Sequence, residues 1–162
     1  MRKNIKKLAT LLCMLPVSAS VFAATPQIGV AMSAFDDNFL TILRSAIADQ
    51  AKVQQARVQM EDGKNEIGTQ LNQIQNFTAS SLQAIIVNPV DSLAVQSISD
   101  DAAAANIPLV YVNREPGNIN SLPKNQAFVG SSETEGGTLQ ATEVCRLLKG
   151  KGNVLIMMGD LA

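Results

Sequence analysis

The chain has 162 residues, of which 46% are hydrophobic and 17% charged, and it contains no histidine. The lack of histidine excludes the triads in which an imidazole is the base for a serine or cysteine nucleophile. It has 13 basic and 14 acidic residues, and beyond residue 23 the acidic excess leaves no basic patch, which argues against nucleic acid and anionic lipid as partners.

Residues 1–23 have the composition of a cleavable secretion signal. Four basic residues precede an apolar core at Leu8–Val17, and Val21-Phe22-Ala23 is a typical cleavage site. The core is too short to span a bilayer, so we expect cleavage after Ala23 and export to the periplasm. The remaining 139 residues (162 less 23) carry nine basic residues (13 less four) against 14 acidic ones, a net charge of −5. Cys145, left without a second cysteine, forms no internal disulfide.

Strand and helix patterns alternate along the rest of the chain. Short apolar runs, several of them continuous, predict strands, which are Ile28–Met32, Ala56–Met60, Ala84–Val87, Ile107–Val112, Ala127–Val129 and Asn153–Met158. Apolar residues at helical spacing predict the helices Asp37–Lys52, Glu66–Thr78, an alanine-rich helix with Asp91 as its N-cap, and Glu133–Leu148. Strands separated by single helices predict an α/β fold with a doubly wound parallel sheet.

The pattern changes after residue 130. Gly130-Ser131-Ser132 is a small, flexible stretch, and one helix and one strand follow it before the chain stops at Ala162. We therefore expect residues 24–130 to form an N-terminal ligand-binding lobe and residues 131–162 to be the start of a second, truncated lobe. A one-lobed protein is the alternative, in which Asn153–Met158 would pair with the first sheet or with a second chain.

Two loops at the carboxyl edge of the predicted sheet carry polar residues suited to a polyol. Asp37 offers a carboxylate acceptor, Asn113 an amide with both donors and an acceptor, and Arg114 a planar fork of donors. Phe39 offers a flat apolar ring. Vicinal hydroxyls need donors and acceptors together, while the C–H face of a sugar packs well on an aromatic ring.

These segments together resemble a known family. In order and spacing, IGVAMSAFDDNF, AIIVNPVD and IPLVYVNREP are similar to the periplasmic sugar-binding proteins of the ribose/galactose group, the soluble receptors of ABC importers. The DDNF and NREP versions are most like the galactose/glucose and the inositol/rhizopine-type receptors. The resemblance covers essentially all of Gln27–Met158.

The resemblance implies two hinged lobes that close on one sugar or cyclitol, working as a monomer with a membrane permease. By motif position it implies ligand contacts at Asp37, Phe39, Asn113, Arg114 and Ser33. It also implies an interlobe crossing near Gly130 and Ser131. The segment LLKGKGN stands where the galactose/glucose branch has an acidic calcium loop, so no metal or cofactor is expected.

Two adjacent positions are expected to have structural roles. Asp36 is expected to orient its loop or to face solvent. Asn88 is expected to belong to turn and cap chemistry, although it points towards the crevice edge.

Other functions remain as alternatives. A sensor that feeds a chemoreceptor or a quorum signal would use the same fold. An enzyme is disfavoured, because a receiver-type phosphoacceptor site needs an acid where this chain has Asn88. Because the second lobe's ligands are missing, we expect this chain by itself to bind its solute weakly or not measurably.

Overall fold

The computed structural model describes residues 25–80 and 82–157, and it contains one five-stranded sheet in which every pairing is parallel. The strands are β1 (Gln27–Met32), β2 (Arg57–Asp62), β3 (Ala84–Val87), β4 (Leu109–Val112) and β5 (Gln126–Val129). The helices are α1 (Asn38–Val53), α2 (Ile67–Ala79), α3 (Gln96–Ala104) and α4 (Glu133–Leu147). A short 3₁₀ helix spans Ile119–Ser121. The predicted α/β fold with a parallel sheet is confirmed. The predicted secretion signal at residues 1–23 lies outside the described residues.

The sheet order is β2-β1-β3-β4-β5, so the chain changes direction at β1. It first moves outward to β2 through α1, then crosses back over β1 to β3 through α2. In such doubly wound sheets the connections that leave the two strands at the reversal run to opposite faces of the sheet and leave a crevice outside the carboxyl ends of the strands. The topology therefore puts a crevice between the ends of β1 and β3.

Two apolar clusters cover opposite faces of the sheet, because alternate residues of a strand point to opposite sides. Leu40 of α1 packs with Val30 and Met32 of β1 on one face. On the other face, Ile74 and Phe77 of α2 join a larger cluster with α3 and the inward residues of β3 and β4.

The predicted alanine-rich helix forms as α3, but its predicted start was wrong. Asp91 does not cap a helix: its carboxylate accepts from the Leu93 amide at 2.8 Å in a local turn, and α3 begins at Gln96 with Val95 as its N-cap. The amide of Gly117 donates to the carbonyl of Ser92 at 2.7 Å. The Ser92 carbonyl is therefore bonded to a distant segment and not to a following turn of helix.

The predicted strand Asn153–Met158 is also not formed over its described part. Residues 153–157 are irregular, and Leu155 and Ile156 are each 86% exposed. A strand needs a neighbouring strand for its backbone hydrogen bonds, and none lies beside this segment in the part of the chain that the structure describes.

The boundaries of other elements shift by one or two residues. β2 continues to Asp62 because Glu61 and Asp62 keep the register with Ala31 and Met32 of β1. β4 begins at Leu109, two residues later than predicted, directly after Pro108, which has no amide hydrogen to donate.

α4 contributes nothing to the sheet's core. None of its residues is buried, and Ser132 caps it by accepting from the Glu135 amide at 3.2 Å. None of the helices in the described ranges combines the length and apolar composition needed to cross a bilayer.

Candidate functional site

A polar cleft of about 450 Å³ lies at the carboxyl edge of the sheet, at the crevice formed by the chain reversal. Its walls come from the residues that follow β1, β2, β3 and β4, together with the first turn of α1. The lining residues are Ser33, Ala34, Asp36, Asp37, Phe39, Leu40, Asn65, Asn88, Asn113 and Arg114.

The five predicted contact residues, Ser33, Asp37, Phe39, Asn113 and Arg114, all line this one cleft. They are brought together because the carboxyl ends of parallel strands meet at the same edge of a sheet. Their roles as ligand contacts stay predictions.

Asp37 has a structural role at the cleft as well as its place in the wall. Its Oδ1 accepts from the Leu40 amide at 2.8 Å, which makes it the N-cap of α1. Its side chain is nevertheless exposed, and a carboxylate that caps a helix with one oxygen has further acceptor capacity.

Phe39 stands at the start of α1 with its side chain towards solvent. It is 56% exposed, whereas Leu40 beside it is 6% exposed and belongs to the core. An aromatic side chain left this exposed in a polar cleft contributes little to the core, so its ring is available to a ligand.

Asn113 turns the chain out of β4. Its φ of 65° is left-handed, a conformation that asparagine tolerates better than most residues. Its amide donates to the carbonyl of Val129 at 3.0 Å, which extends the pairing of β4 with β5 by one residue. This fixed backbone holds the side chain at the sheet edge.

Arg114 is partly engaged by the protein itself. Its Nη1 donates to the carbonyl of Pro89 at 2.9 Å and also contacts the carbonyl of Val90. A guanidinium has other N–H donors that remain for a ligand. Arg114 therefore joins the loop after β3 to the loop after β4 while it lines the cleft.

Sequence analysis missed Asn65 in the cleft wall and gave Asn88, at the same wall, only a structural role. Asn65 follows β2 with a left-handed φ of 56°, and its amide donates to the Ser33 carbonyl at 2.7 Å. Asn88, which was assigned to turn chemistry, is fully buried, and its Nδ2 donates to Ser33 Oγ at 3.3 Å. Sequence analysis placed Asn88 towards the crevice edge but did not count it among the candidate contacts.

The cleft combines both signs of charge. Asp36 and Asp37 bring carboxylates to its lining, and Arg114 brings a guanidinium. Apart from these three residues the wall is made of amides, a hydroxyl and apolar groups, so the site offers donors and acceptors in similar measure.

The predicted hinge residues lie between β5 and α4. Gly130 and Ser131 are both exposed, and a Cβ on Gly130 would lie 2.3 Å from Cζ of Phe128. This close approach explains a glycine at this point. The role of the two residues in a hinge stays a prediction.

A strong pKa shift occurs in the core, at Tyr111. Burial raises the pKa of Tyr111 to about 12; its hydrogen bond with Ser99 opposes the shift and the charge of Asp100 adds to it. The hydroxyl lies 2.8 Å from Ser99 Oγ and donates to the Val95 carbonyl at 3.2 Å. Tyr111 is therefore a structural group that joins β4 to α3.

A periplasmic binding protein domain model matches residues 28–162. Among curated relatives, a putative rhizopine-binding protein of Rhizobium meliloti is 50% identical over 147 residues, which are 90% of this chain and 48% of the relative. The D-galactose/methyl-galactoside binding periplasmic protein MglB of Haemophilus influenzae is 31% identical over 82% of this chain and 40% of its own length. The chain thus spans about half the length of these relatives.

Solved structures give the same fold. An ABC transporter solute binding protein from Bacillus halodurans with bound myo-inositol superposes with a TM-score of 0.77 at 35% identity, covering 85% of this chain and 47% of that one. The Caulobacter myo-inositol binding protein, bound to myo-inositol, gives a TM-score of 0.70 at 21% identity over 78% of this chain and 44% of that one, which shows the fold alone.

Proposed function

We propose, from the premise that this chain belongs to the periplasmic binding protein domain family, that it supplies one wall of a receptor site for a sugar or cyclitol. The observation that carries the proposal is the cleft at the carboxyl edge, which is lined by carboxylates, amides, a guanidinium and an exposed phenyl ring. The names of the relatives and the inositol bound to the Bacillus halodurans protein support the same class of ligand.

The chemistry of the wall suits a neutral polyol. Asp37 accepts from ligand hydroxyls, Arg114 donates to ligand oxygens, and Asn113 can do both. Phe39 packs against the C–H face of the ring, where a purely polar wall would leave apolar surface in water. A strongly charged solute fits less well, because carboxylates and a guanidinium share the cleft.

The cleft covers a solute from one side only and stays open to water on the other. High affinity for a small solute comes from burying most of its surface, and a ligand on this wall keeps one face solvated. We therefore propose that residues 24–130 form one lobe, that residues 131–162 begin a second, and that Gly130 and Ser131 lie at the crossing between them. The described chain alone should bind weakly.

The partners and the location follow from the family and remain part of the proposal. The complete receptor would be a periplasmic monomer that delivers its solute to the membrane permease of an ABC importer. Cleavage of the secretion signal after Ala23 would release it into that compartment.

The proposal is tested by titrating the ¹⁵N-labelled chain, residues 24–162, with myo-inositol, D-galactose and D-ribose while recording amide spectra. We expect millimolar or weaker binding, with shifts concentrated at the cleft residues. The variant Asp37→Asn keeps the helix cap but removes a charged acceptor, and it should weaken binding, whereas Asp49→Asn on the exposed face of α1 should not. Spectra in which none of the three polyols moves a cleft resonance would overturn the proposal.

A further inference from the structure

Asn88, at the floor of the cleft, has a buried side-chain amide whose oxygen accepts no hydrogen bond from the described residues. Asn88 follows β3 directly, is 0% exposed, and lines the cleft. Its Nδ2 donates to Ser33 Oγ at 3.3 Å, while its Oδ1 has no hydrogen-bond partner among the residues that the structure describes. Buried polar side chains are nearly always hydrogen-bonded, so an open acceptor facing a cleft calls for an explanation.

The main chain of Asn88 is firmly held. Its amide donates to the Ala31 carbonyl at 2.9 Å, and its carbonyl accepts from Nε2 of the buried Gln70 at 2.9 Å. With both backbone groups bonded and one end of the side-chain amide on Ser33, the open oxygen is held in place before any ligand arrives. Preorganised groups of this kind lose little freedom on binding.

Ser33 completes the pair. It follows β1 and is 2% exposed, and its hydroxyl oxygen accepts from Asn88. A serine hydroxyl that accepts one hydrogen bond can still donate another. Ser33 and Asn88 therefore present one acceptor and one donor side by side, at the crevice between β1 and β3.

We infer that Asn88 and Ser33 form the deepest polar subsite of the cleft and bind a hydroxyl group of the solute. The solute hydroxyl donates to Asn88 Oδ1 and accepts from Ser33 Oγ, so the pair selects a hydroxyl over a C–H group or a ring oxygen at that position. The inference rests on the proposed function and adds to it a residue, Asn88, that senses one position of the polyol ring.

Asn88→Leu tests the subsite in the titration with myo-inositol, because it keeps the side chain's approximate size and removes the acceptor. We expect the dissociation constant to rise about tenfold, the cost of one hydrogen bond to a buried partner. Ser33→Ala should raise it several-fold. The matched control Asn76→Leu, at an exposed position in the last turn of α2, should leave it unchanged.

A set of monodeoxy inositols identifies the hydroxyl. One analogue lacks the hydroxyl that binds at the subsite. For that analogue the native chain and Asn88→Leu should have the same dissociation constant, whereas for the other analogues the dissociation constant of Asn88→Leu should stay higher. In the native chain, the side-chain NH₂ resonances of Asn88 should shift on addition of myo-inositol, a measurement that needs no variant to fold.

The outcomes separate the two proposals. If the native chain binds myo-inositol and neither Asn88→Leu nor the Asn88 NH₂ resonances respond, the subsite is wrong and the proposed function stands. If no polyol binds the native chain, the proposed function fails and the subsite with it.

Discussion

Gln70 donates from Nε2 to the carbonyl of Asn88 across 2.9 Å, linking two buried residues that lie 18 positions apart in the chain. The Oε1 of the same side chain accepts from the Val90 amide at 2.9 Å. The Gln70 side chain thus supplies the hydrogen bonds that a neighbouring backbone segment would otherwise give to the loop after β3. Arg114 holds this loop from another side through the Pro89 carbonyl, so the floor of the cleft is clamped by two side chains.

Replacing Gln70 with leucine should destabilise the fold. The change leaves the Asn88 carbonyl and the Val90 amide buried without partners, and we expect the free energy of unfolding to fall by about 1–3 kcal/mol. Urea unfolding monitored by circular dichroism measures it. The control Gln75→Leu, at an exposed position of the same helix, should change stability little. Equal stability of the two variants would show that the clamp contributes nothing.

A methyl group at Gly29 should also destabilise the fold, through overpacking. A Cβ there would lie 2.6 Å from Cδ2 of Phe77 and 2.8 Å from Cδ1 of Leu82. Both side chains belong to the larger apolar cluster of the core. We expect Gly29→Ala to lower the free energy of unfolding by about 1–3 kcal/mol. Gly68→Ala is the matched control, since nothing lies within 4 Å of a Cβ at that helical position. It should be neutral or raise stability by up to about 1 kcal/mol.

The parts of the fold that sequence predicts well depend on local patterns. Ala84–Val87 was predicted with its observed bounds because a strand buried on both faces is a continuous apolar run. Asp37 and Asn113, both predicted contacts, were expected to share a site because residues that follow parallel strands meet at one edge, and both line the cleft.

The parts that sequence missed depend on distant partners. The burial of Asn88 depends on Gln70 and on Ser33, which is 55 positions away, and no local pattern encodes those contacts. Asp91 has the residue type and position of a helix cap, but its carboxylate accepts from the Leu93 amide in a turn. The Ser92 carbonyl in that turn accepts from the distant Gly117 amide. Residues 153–157 have an apolar strand composition, but a strand forms only beside another strand.

Substitutions at Asp37 should separate its structural and its binding roles. Asp37→Ala removes the acceptor for the Leu40 amide and should lower the free energy of unfolding by about 0.5–2 kcal/mol, whereas Asp37→Asn keeps an acceptor and should be close to native. Both variants lose the carboxylate and should weaken polyol binding. Thermal melts and amide-spectrum titrations of the same samples measure the two effects. An Asn variant that binds like the native chain would leave Asp37 as a cap alone.

Tyr111 should make the fold unstable in alkali. Its pKa of about 12 in the folded chain lies above the ordinary value of 10.0, so the folded state holds the phenol proton more tightly than the unfolded state does. The contribution to stability is complete below pH 10 and is lost as the pH rises from 10 towards 12. Ionisation would also break the bond that the hydroxyl donates to the Val95 carbonyl.

The chain contains one tyrosine, so the near-ultraviolet absorbance of tyrosinate reports Tyr111 alone. In the folded chain it should appear well above pH 10, and it should move down to the ordinary value in denaturant. Tyr111→Phe keeps the ring and cannot ionise, so the part of the alkaline loss that comes from this group should be absent. It should also be less stable than the native chain at neutral pH, because Ser99 Oγ loses one of its two hydrogen-bond partners and the Val95 carbonyl loses the bond from the phenol. A native tyrosine that titrates at its ordinary value in the folded chain would contradict the burial of this hydroxyl between β4 and α3.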